Sequence, residues 1–184
     1  MTDVVGLVLA AGAGTRFGSP KALARTKAGQ PWIARAVATL RDGGCDDVVV
    51  VLGAGAEQAF ELVPEDATIV VATRWEDGMG ASLDAGMAAL PEADTALVSL
   101  VDLPDLPSSV VERVLGAGLE RDVLARAVYA GRPGHPVLLG RDHWDGFRDA
   151  LRDDEGGRRY LELHDVMHVE CGDLFSGRDR KSVV

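Results

Sequence analysis

A strand pattern that runs directly into a glycine-rich loop near the start of this chain is the feature that most constrains its fold. Val4–Leu9 is a continuous apolar run without alternation, as expected of a strand that is covered on both faces. Residues 10–21 follow with three glycines and two basic side chains, Arg16 and Lys21. Glycines let backbone N–H groups approach an anion, and an arginine can bind two phosphate oxygens at once. The junction therefore predicts a phosphate-binding loop in an α/β protein.

Two common phosphate-binding loops do not match this segment. The dinucleotide-binding fingerprint needs glycines at its first, third and sixth positions, and the sixth position counted from Gly12 is Phe17. That fingerprint also needs an acid near the end of the second strand, where residues 52–55 read Leu-Gly-Ala-Gly. The P-loop needs Gly-Lys-Ser/Thr, whereas two residues separate Gly18 from Lys21 here. A tight turn without a ligand is the simpler interpretation of the glycines, and the two basic side chains count against it.

The loop resembles the signature of the MobA-like nucleotidyltransferases, L-A-(A/G)-G-x-(S/G)-x-R-x-G-x-x-K, at every position from Leu9 to Lys21. Its Ala-Ala-Gly form looks most like the molybdenum cofactor cytidylyltransferase branch. The resemblance implies transfer of a nucleotidyl group from CTP or another NTP to a phosphorylated acceptor, with molybdopterin as first choice, Mg²⁺ as cofactor and release of pyrophosphate. It implies that Arg16 and Lys21 act on the triphosphate. The nucleotide-binding residues that it implies in the loop are Leu9, Ala10, Ala11, Gly12, Gly14 and Thr15.

An aspartate follows the predicted strand Thr95–Val101 and is the expected metal ligand. A carboxylate at the end of a buried strand costs free energy unless it is paired or bound to a cation, so Asp102 is a candidate magnesium ligand. Capping of the next turn is the alternative. The family has an Asp-x-Pro motif here, with the aspartate on the metal. The family's second carboxylate lies near the C-terminus in a D-x-D-T-like segment, where this chain is irregular and offers Asp179 or Asp173.

Two further segments resemble family motifs. Residues 77–82 resemble a Gly-x-x-x-Ser segment, which implies that Gly80 and Ser82 contact the nucleotide; capping of the following helix by Asp77 or Ser82 is equally open. Residues 131–138 resemble a G-(H/N)-P-V segment on the acceptor side, which implies acceptor-binding roles for Arg132 and His135.

Strand and helix patterns alternate along the whole chain. They predict an α/β fold of one domain over residues 1–184: a three-layer sandwich with a mainly parallel, Rossmann-like sheet of the nucleotide-diphospho-sugar transferase type. The other predicted strands are Asp47–Leu52, Thr68–Ala72, Val123–Tyr129, Pro136–Leu139 and Val166–Glu170. The predicted helices are Pro31–Arg41, Gly80–Leu90, Ser108–Leu119, Asp142–Leu151 and Gly156–His164. In such sheets ligands bind at the carboxyl ends of the strands, which places the loop and Asp102 at one edge.

The charge distribution favours a small phosphorylated ligand. The net charge of −10 disfavours nonspecific nucleic-acid binding, yet residues 1–27 carry four basic side chains against one acid, Asp3. Cys45 and Cys171 have no zinc-binding spacing. No apolar run reaches membrane length and no leader pattern is present, so we expect a cytoplasmic protein without a membrane partner, and the oligomeric state stays open. A flavin- or nicotinamide-dependent oxidoreductase and a nucleotide-binding protein without turnover are the alternative functions.

Overall fold

Seven strands form one sheet in the computed structural model, which describes residues 3–151 and 157–178. The strands lie in the order β3-β2-β1-β4-β6-β5-β7. All neighbouring pairs are parallel except those that include β6, which runs antiparallel to both β4 and β5. The predicted mainly parallel, Rossmann-like sheet is thereby confirmed. The strand bounds are β1 Val4–Ala10, β2 Asp47–Leu52, β3 Thr68–Val71, β4 Thr95–Leu100, β5 Leu124–Tyr129, β6 Arg132–Gly140 and β7 Met167–Glu170.

Helices cover both faces of this sheet. Apolar side chains on one face, among them Val8 and Leu97, pack with α1 and α4, and those on the other face, among them Leu7 and Val98, pack with α3, α5 and α6. Every residue of β1 is buried, which explains its uninterrupted apolar sequence. The helix bounds are α1 Trp32–Asp42, α2 Ala56–Ala59, α3 Met79–Ala88, α4 Ser108–Leu115, α5 Trp144–Asp149 and α6 Arg158–Leu163.

The hairpin between β5 and β6 differs from the prediction. Residues 131–134 were expected to form a polar loop before a strand at Pro136, but β6 begins at Arg132, opposite Tyr129. Ala130 and Gly131, with φ of 51° and 75°, make the two-residue turn. The prediction was wrong because Arg132 and Pro133 pair with β5 alone, outside the stretch of β6 that pairs with β4, and both are exposed, so they lack the apolar pattern of a buried strand.

Several helix bounds also differ. The predicted helix Ser108–Leu119 ends at Leu115, since Gly116 and Gly118, the latter with φ of 136°, redirect the chain. The short helix α2 was not predicted, and the two last predicted helices are shorter in the structure, with Gly156 outside the described residues. Among the described residues, no helix combines the length and the apolar character that crossing a membrane would require.

Candidate active site

A cavity of about 670 Å³ lies at the edge of the sheet where β1 and β4 end. The loop after β1 forms one wall, the helical turn Trp75–Asp77 and the start of α3 form another, and the end of β4 forms the floor. The lining residues are Leu9, Ala10, Ala11, Gly12, Ala13, Gly14, Thr15, Arg16, Phe17, Lys21, Trp75, Glu76, Gly78, Met79, Ser82, Leu100, Val101 and Asp102. The structure therefore brings together every predicted loop residue and Asp102.

The shape of the glycine-rich loop depends on Gly14. Its φ of 61° is left-handed, and a Cβ at this position would lie 2.0 Å from the carbonyl oxygen of Ser19. The Gly14 carbonyl accepts hydrogen bonds from the N–H groups of Phe17 and Gly18, at 2.8 Å each. The added Cβ of Gly12, by contrast, would meet no atom within 4 Å. The loop is thus a tight turn with open space beside its backbone at Gly12, which suits the close approach of a phosphate.

An aromatic contact holds the loop against the core. The ring of Phe17 lies 5.5 Å from that of Trp32, centroid to centroid, and Trp32 is fully buried at the start of α1. Sequence reasoning did not single out Phe17, because an aromatic side chain inside a glycine-rich loop carries no signal for its partner. The contact means that the basic side chains on either side of Phe17 project from a loop that is fixed at its centre.

Lys21 and Asp102 form an ion pair in the lining of the cavity. The Lys21 Nζ atom donates to Oδ2 of Asp102 at 2.6 Å, with side-chain exposures of 25% and 15%. The other carboxylate oxygen, Oδ1, is buried and has no hydrogen-bond partner within the described parts of the chain. No backbone N–H there bonds to this carboxylate, so the turn-capping alternative finds no support among the described residues. The turn after Asp102 is held by Arg35, which donates from Nε to the Pro104 carbonyl at 2.7 Å.

The donor set at Asp102 fits a magnesium ion held mainly by a substrate. The described residues contain no group of three His, Cys, Asp or Glu side chains that could hold a metal by itself. Mg²⁺ commonly takes one or two carboxylates and completes its shell with phosphate oxygens and water, and the unpartnered Oδ1 of Asp102 could serve as one such carboxylate ligand. Of the two candidates for a second carboxylate, Asp173 accepts two hydrogen bonds from Arg113, at 2.5 and 3.0 Å, which lower its pKa. The other, Asp179, lies outside the described residues.

The start of α3 contributes to the cavity differently from the prediction. Ser82 is buried and lines the cavity, while Gly80 is buried without lining it. The described structure shows no side-chain cap on α3, and the Asp77 carboxylate instead bonds to Arg74 at 2.6 Å. Helix capping is therefore not what Asp77 and Ser82 do here.

Sequence reasoning missed the importance of Gly53 at the end of β2. A Cβ there would lie 2.6 Å from the Ala11 carbonyl oxygen and 2.7 Å from Cβ of Trp75. Only a residue without a side chain lets Trp75 pack against the loop and form the cavity wall. The sequence analysis used Gly53 only to show that the acid of the dinucleotide-binding fingerprint is missing. A glycine at the end of a strand often marks a place where another segment packs closely against the backbone, and that signal was available.

A second cavity, of about 740 Å³, lies between β5, β6, β7 and α6. Its lining residues are Arg126, Pro133, His135, Arg158, Leu161, Glu162, His164, Asp165, Val166 and His168. His135 thus faces a cavity, whereas Arg132 is exposed at the start of β6 and lines neither cavity. Burial, and then the charge of Arg126, lower the pKa of His135 to about 4.

Comparison with known proteins identifies the family. The family model described as the MobA-like NTP transferase domain matches residues 6–169. The chain is 35% identical to the nicotine blue oxidoreductase of Paenarthrobacter nicotinovorans, over 98% of this chain and 93% of that protein. It is 26% identical to the bifunctional protein GlmU of Syntrophomonas wolfei over 89% of its own length, and it spans about a third of that longer protein, 35%.

The structure of Rv0371c from Mycobacterium tuberculosis superimposes with a TM-score of 0.76 at 25% identity, covering 92% of this chain and 88% of that one. The fold, the glycine-rich loop and the match to the family model all indicate the same family. The chain belongs to the family of MobA-like NTP transferase domains.

Proposed function

We propose that this protein is a cytoplasmic, magnesium-dependent nucleotidyltransferase that moves CMP from CTP to a phosphorylated acceptor, with molybdopterin as the first acceptor to test. The observation that carries the proposal is the ion pair of Lys21 and Asp102 at the mouth of a glycine-rich loop. A buried carboxylate oxygen without a partner in the described chain, beside a lysine and an open backbone, matches what a metal-bound triphosphate needs.

The described side chains would act by positioning and by offsetting charge. Arg16 and Lys21 would hold oxygens of the triphosphate, with the N–H groups of the loop from Ala10 to Thr15 around them. Asp102 would hold Mg²⁺, with Asp179 as the proposed second ligand, and the bound ion would neutralise the negative charge of the triphosphate. The base and ribose would lie beside Ala10, Ala11 and Ser82, with Trp75 as the wall of the cavity.

The transfer itself requires little covalent chemistry from the protein. An oxygen of the acceptor phosphate attacks the α-phosphorus of CTP, a new P–O bond forms, and the bond from the α-phosphorus to the bridging oxygen of the β-phosphate breaks. Pyrophosphate leaves with the electron pair of that bond. Alignment of the two phosphates in one site, together with positive charge around the leaving group, supplies the rate enhancement in such reactions.

The test combines nucleotide binding with turnover. With Mg²⁺ present, CTP should raise the melting temperature more than GTP, ATP or UTP at equal concentration, because a ligand that binds only the folded state stabilises it. Pyrophosphate should be released when molybdopterin is added. Stronger stabilisation by GTP would overturn the CTP assignment, and tight CTP binding without turnover on any phosphorylated acceptor would identify a nucleotide-binding protein.

A second candidate function is electron transfer from a flavin or nicotinamide nucleotide in the same cavity. It is favoured by the 35% identity, over nearly the whole chain, to a protein named nicotine blue oxidoreductase. The lining of the cavity also includes the apolar side chains of Leu9, Trp75, Met79 and Leu100, against which a flat ring could pack.

The two candidate functions separate in one preparation. A bound flavin gives the purified protein a visible absorption band, and nicotinamide turnover is followed as loss of NADPH absorbance with a quinoid dye as electron acceptor. A colourless protein that oxidises no NADPH and releases pyrophosphate from CTP would reject the redox function. The opposite pattern would reject nucleotidyl transfer.

A further inference from the structure

The second cavity contains an arginine, Arg126, that forms no ion pair with any residue that the structure describes. Arg126 projects from β5 toward α6 and is only partly exposed. Its Nη2 atom makes one long bond, 3.4 Å, to the Gly134 carbonyl, and its buried Nε atom has no hydrogen-bond partner among residues 3–151 and 157–178. Burial and the charge of Arg158 lower its pKa, while Glu162 acts in the opposite direction. A partly desolvated cation of this kind is stabilised by an anion.

The other charged groups of the cavity leave Arg126 available. Arg158 and Glu162 pair with each other at 2.7 Å, and Asp165 is exposed. Three of the four histidines of the chain line the cavity: His135, His164 and His168. Imidazole rings can donate hydrogen bonds to phosphate oxygens, and an anion beside them favours their protonated form.

Apolar residues that line the two cavities pack into the same core cluster, on one face of the sheet. Val98 of β4 pairs with Val137 of β6 in antiparallel register, and both side chains belong to the same core cluster. Leu161, which lines the second cavity, and Leu9, which lines the nucleotide cavity, belong to that cluster as well. A molecule in the second cavity would therefore lie on a face of the sheet that also contributes to the proposed triphosphate site.

We propose that the cavity between β5, β6, β7 and α6 is a second anion site, which binds a phosphate monoester through Arg126 and the surrounding imidazoles. The binding of a phosphate monoester in this cavity does not depend on the proposed nucleotidyl transfer. The further assignment of the cavity as the place where the phosphorylated acceptor binds does rest on that function. In this proposal Arg126, and not the exposed Arg132, is the arginine that contacts the acceptor.

The histidines report on this site selectively, because none of them lines the nucleotide cavity. The experiment is an NMR titration of the histidine ring signals of the full chain with glycerol 3-phosphate, and with glycerol as the neutral control. We expect the signals of His135, His164 and His168 to move with glycerol 3-phosphate alone and to move further than that of His143. Replacement of Arg126 by Met should weaken binding at least tenfold, whereas Arg121→Met, which removes an exposed arginine paired with Asp94, should leave it unchanged.

The titration of the unmodified protein decides the matter even if Arg126→Met fails to fold. Histidine signals that stay still, or that move equally with glycerol, would overturn the site. If they move but no acceptor yields pyrophosphate from CTP, the anion site stands and the nucleotidyl transfer is rejected. If turnover occurs and Arg126→Met leaves the KM for the acceptor unchanged, the cavity is not the place where the acceptor binds.

Discussion

The replacement Asp102→Asn tests the centre of the proposed site. The substitution keeps the size of the side chain and one carbonyl oxygen that Lys21 can still reach, but it removes the charge. The bond between Lys21 and Asp102 is 2.6 Å long and mostly buried, so it belongs with charge-assisted hydrogen bonds. Bonds to charged groups contribute about 1.5–3 kcal/mol and neutral ones about 0.5–1.5 kcal/mol. We therefore expect the free energy of unfolding to fall by about 1 kcal/mol.

A loss of this size corresponds to a small change in melting temperature, about 2–4 °C for a domain of this length. The unpartnered Oδ1 adds nothing to this loss of stability, because the carboxylate makes no hydrogen bond through Oδ1 with the described residues that an amide group would lose. Turnover should respond far more strongly. Loss of the carboxylate that would hold Mg²⁺ should lower kcat at least about 100-fold, the scale seen when one group that stabilises transition-state charge is removed.

Melting temperature and pyrophosphate release should be measured on one preparation of Asp102→Asn. The matched control is Asp66→Asn, which removes an exposed aspartate from its ion pair with Arg41; it should leave turnover unchanged and the unfolding free energy nearly so. Turnover of Asp102→Asn within threefold of the unmodified protein would refute the metal-ligand role. A large fall in stability with normal turnover per folded molecule would show that Asp102 is a structural residue.

Three further predictions concern the loop and the second cavity. Gly14→Ala should lower the unfolding free energy by about 1–3 kcal/mol and abolish CTP binding, since the new methyl group meets a backbone carbonyl. Gly18→Ala, at a position that also has positive φ but open space around it, should have smaller effects on stability and binding. Urea unfolding measures the stability of each variant, and calorimetry measures its affinity for CTP. Phe17→Ala should weaken CTP binding, because it frees the loop from Trp32, and should lower the melting temperature only slightly. A Kd for CTP equal to that of the unmodified protein, measured by calorimetry, would contradict this. His135 has a pKa lowered from 6.5 to about 4, so the unfolded chain binds more protons between these pH values and stability should fall as the pH drops through them. Replacing His135 by Gln should flatten that part of the stability–pH profile measured by urea unfolding; because the ring is only half-buried, the effect should stay below about 3 kcal/mol, and an unchanged slope would show that the pKa of His135 is not lowered in the folded protein.

The parallel half of the sheet could be predicted because its sequence signals are local. A strand buried on both faces is expected to be mostly apolar, and β1, β2 after Asp47, and β4 apart from Thr95 and Ser99 show that pattern. The tight glycine-rich turn after β1 was predictable for the same reason, since its glycines, Arg16 and Lys21 lie within a dozen residues of one another. What this segment binds stays a prediction.

The parts that could not be predicted depend on contacts between distant segments. Nothing near Lys21 in the sequence indicates that its partner is Asp102, 81 residues further on. The beginning of β6 lacks an apolar pattern because it pairs with β5 alone, a fact of register rather than of local composition. Likewise, Arg126 lies in a strand whose neighbours are apolar, and its cavity exists only because α6 and β7 close over it.

The reversed direction of β6 has an evolutionary consequence. It separates the cavity formed by the loop after β1 and the ends of the parallel strands from the cavity that belongs to the later segments β5, β6, β7 and α6. The hairpin at Ala130 and Gly131 and the lining of the second cavity can change without disturbing the strand that feeds the glycine-rich loop. If the proposed sites hold, selection could change what the second cavity binds while the cavity of the glycine-rich loop is kept, so that relatives of one ancestry could acquire different chemistry.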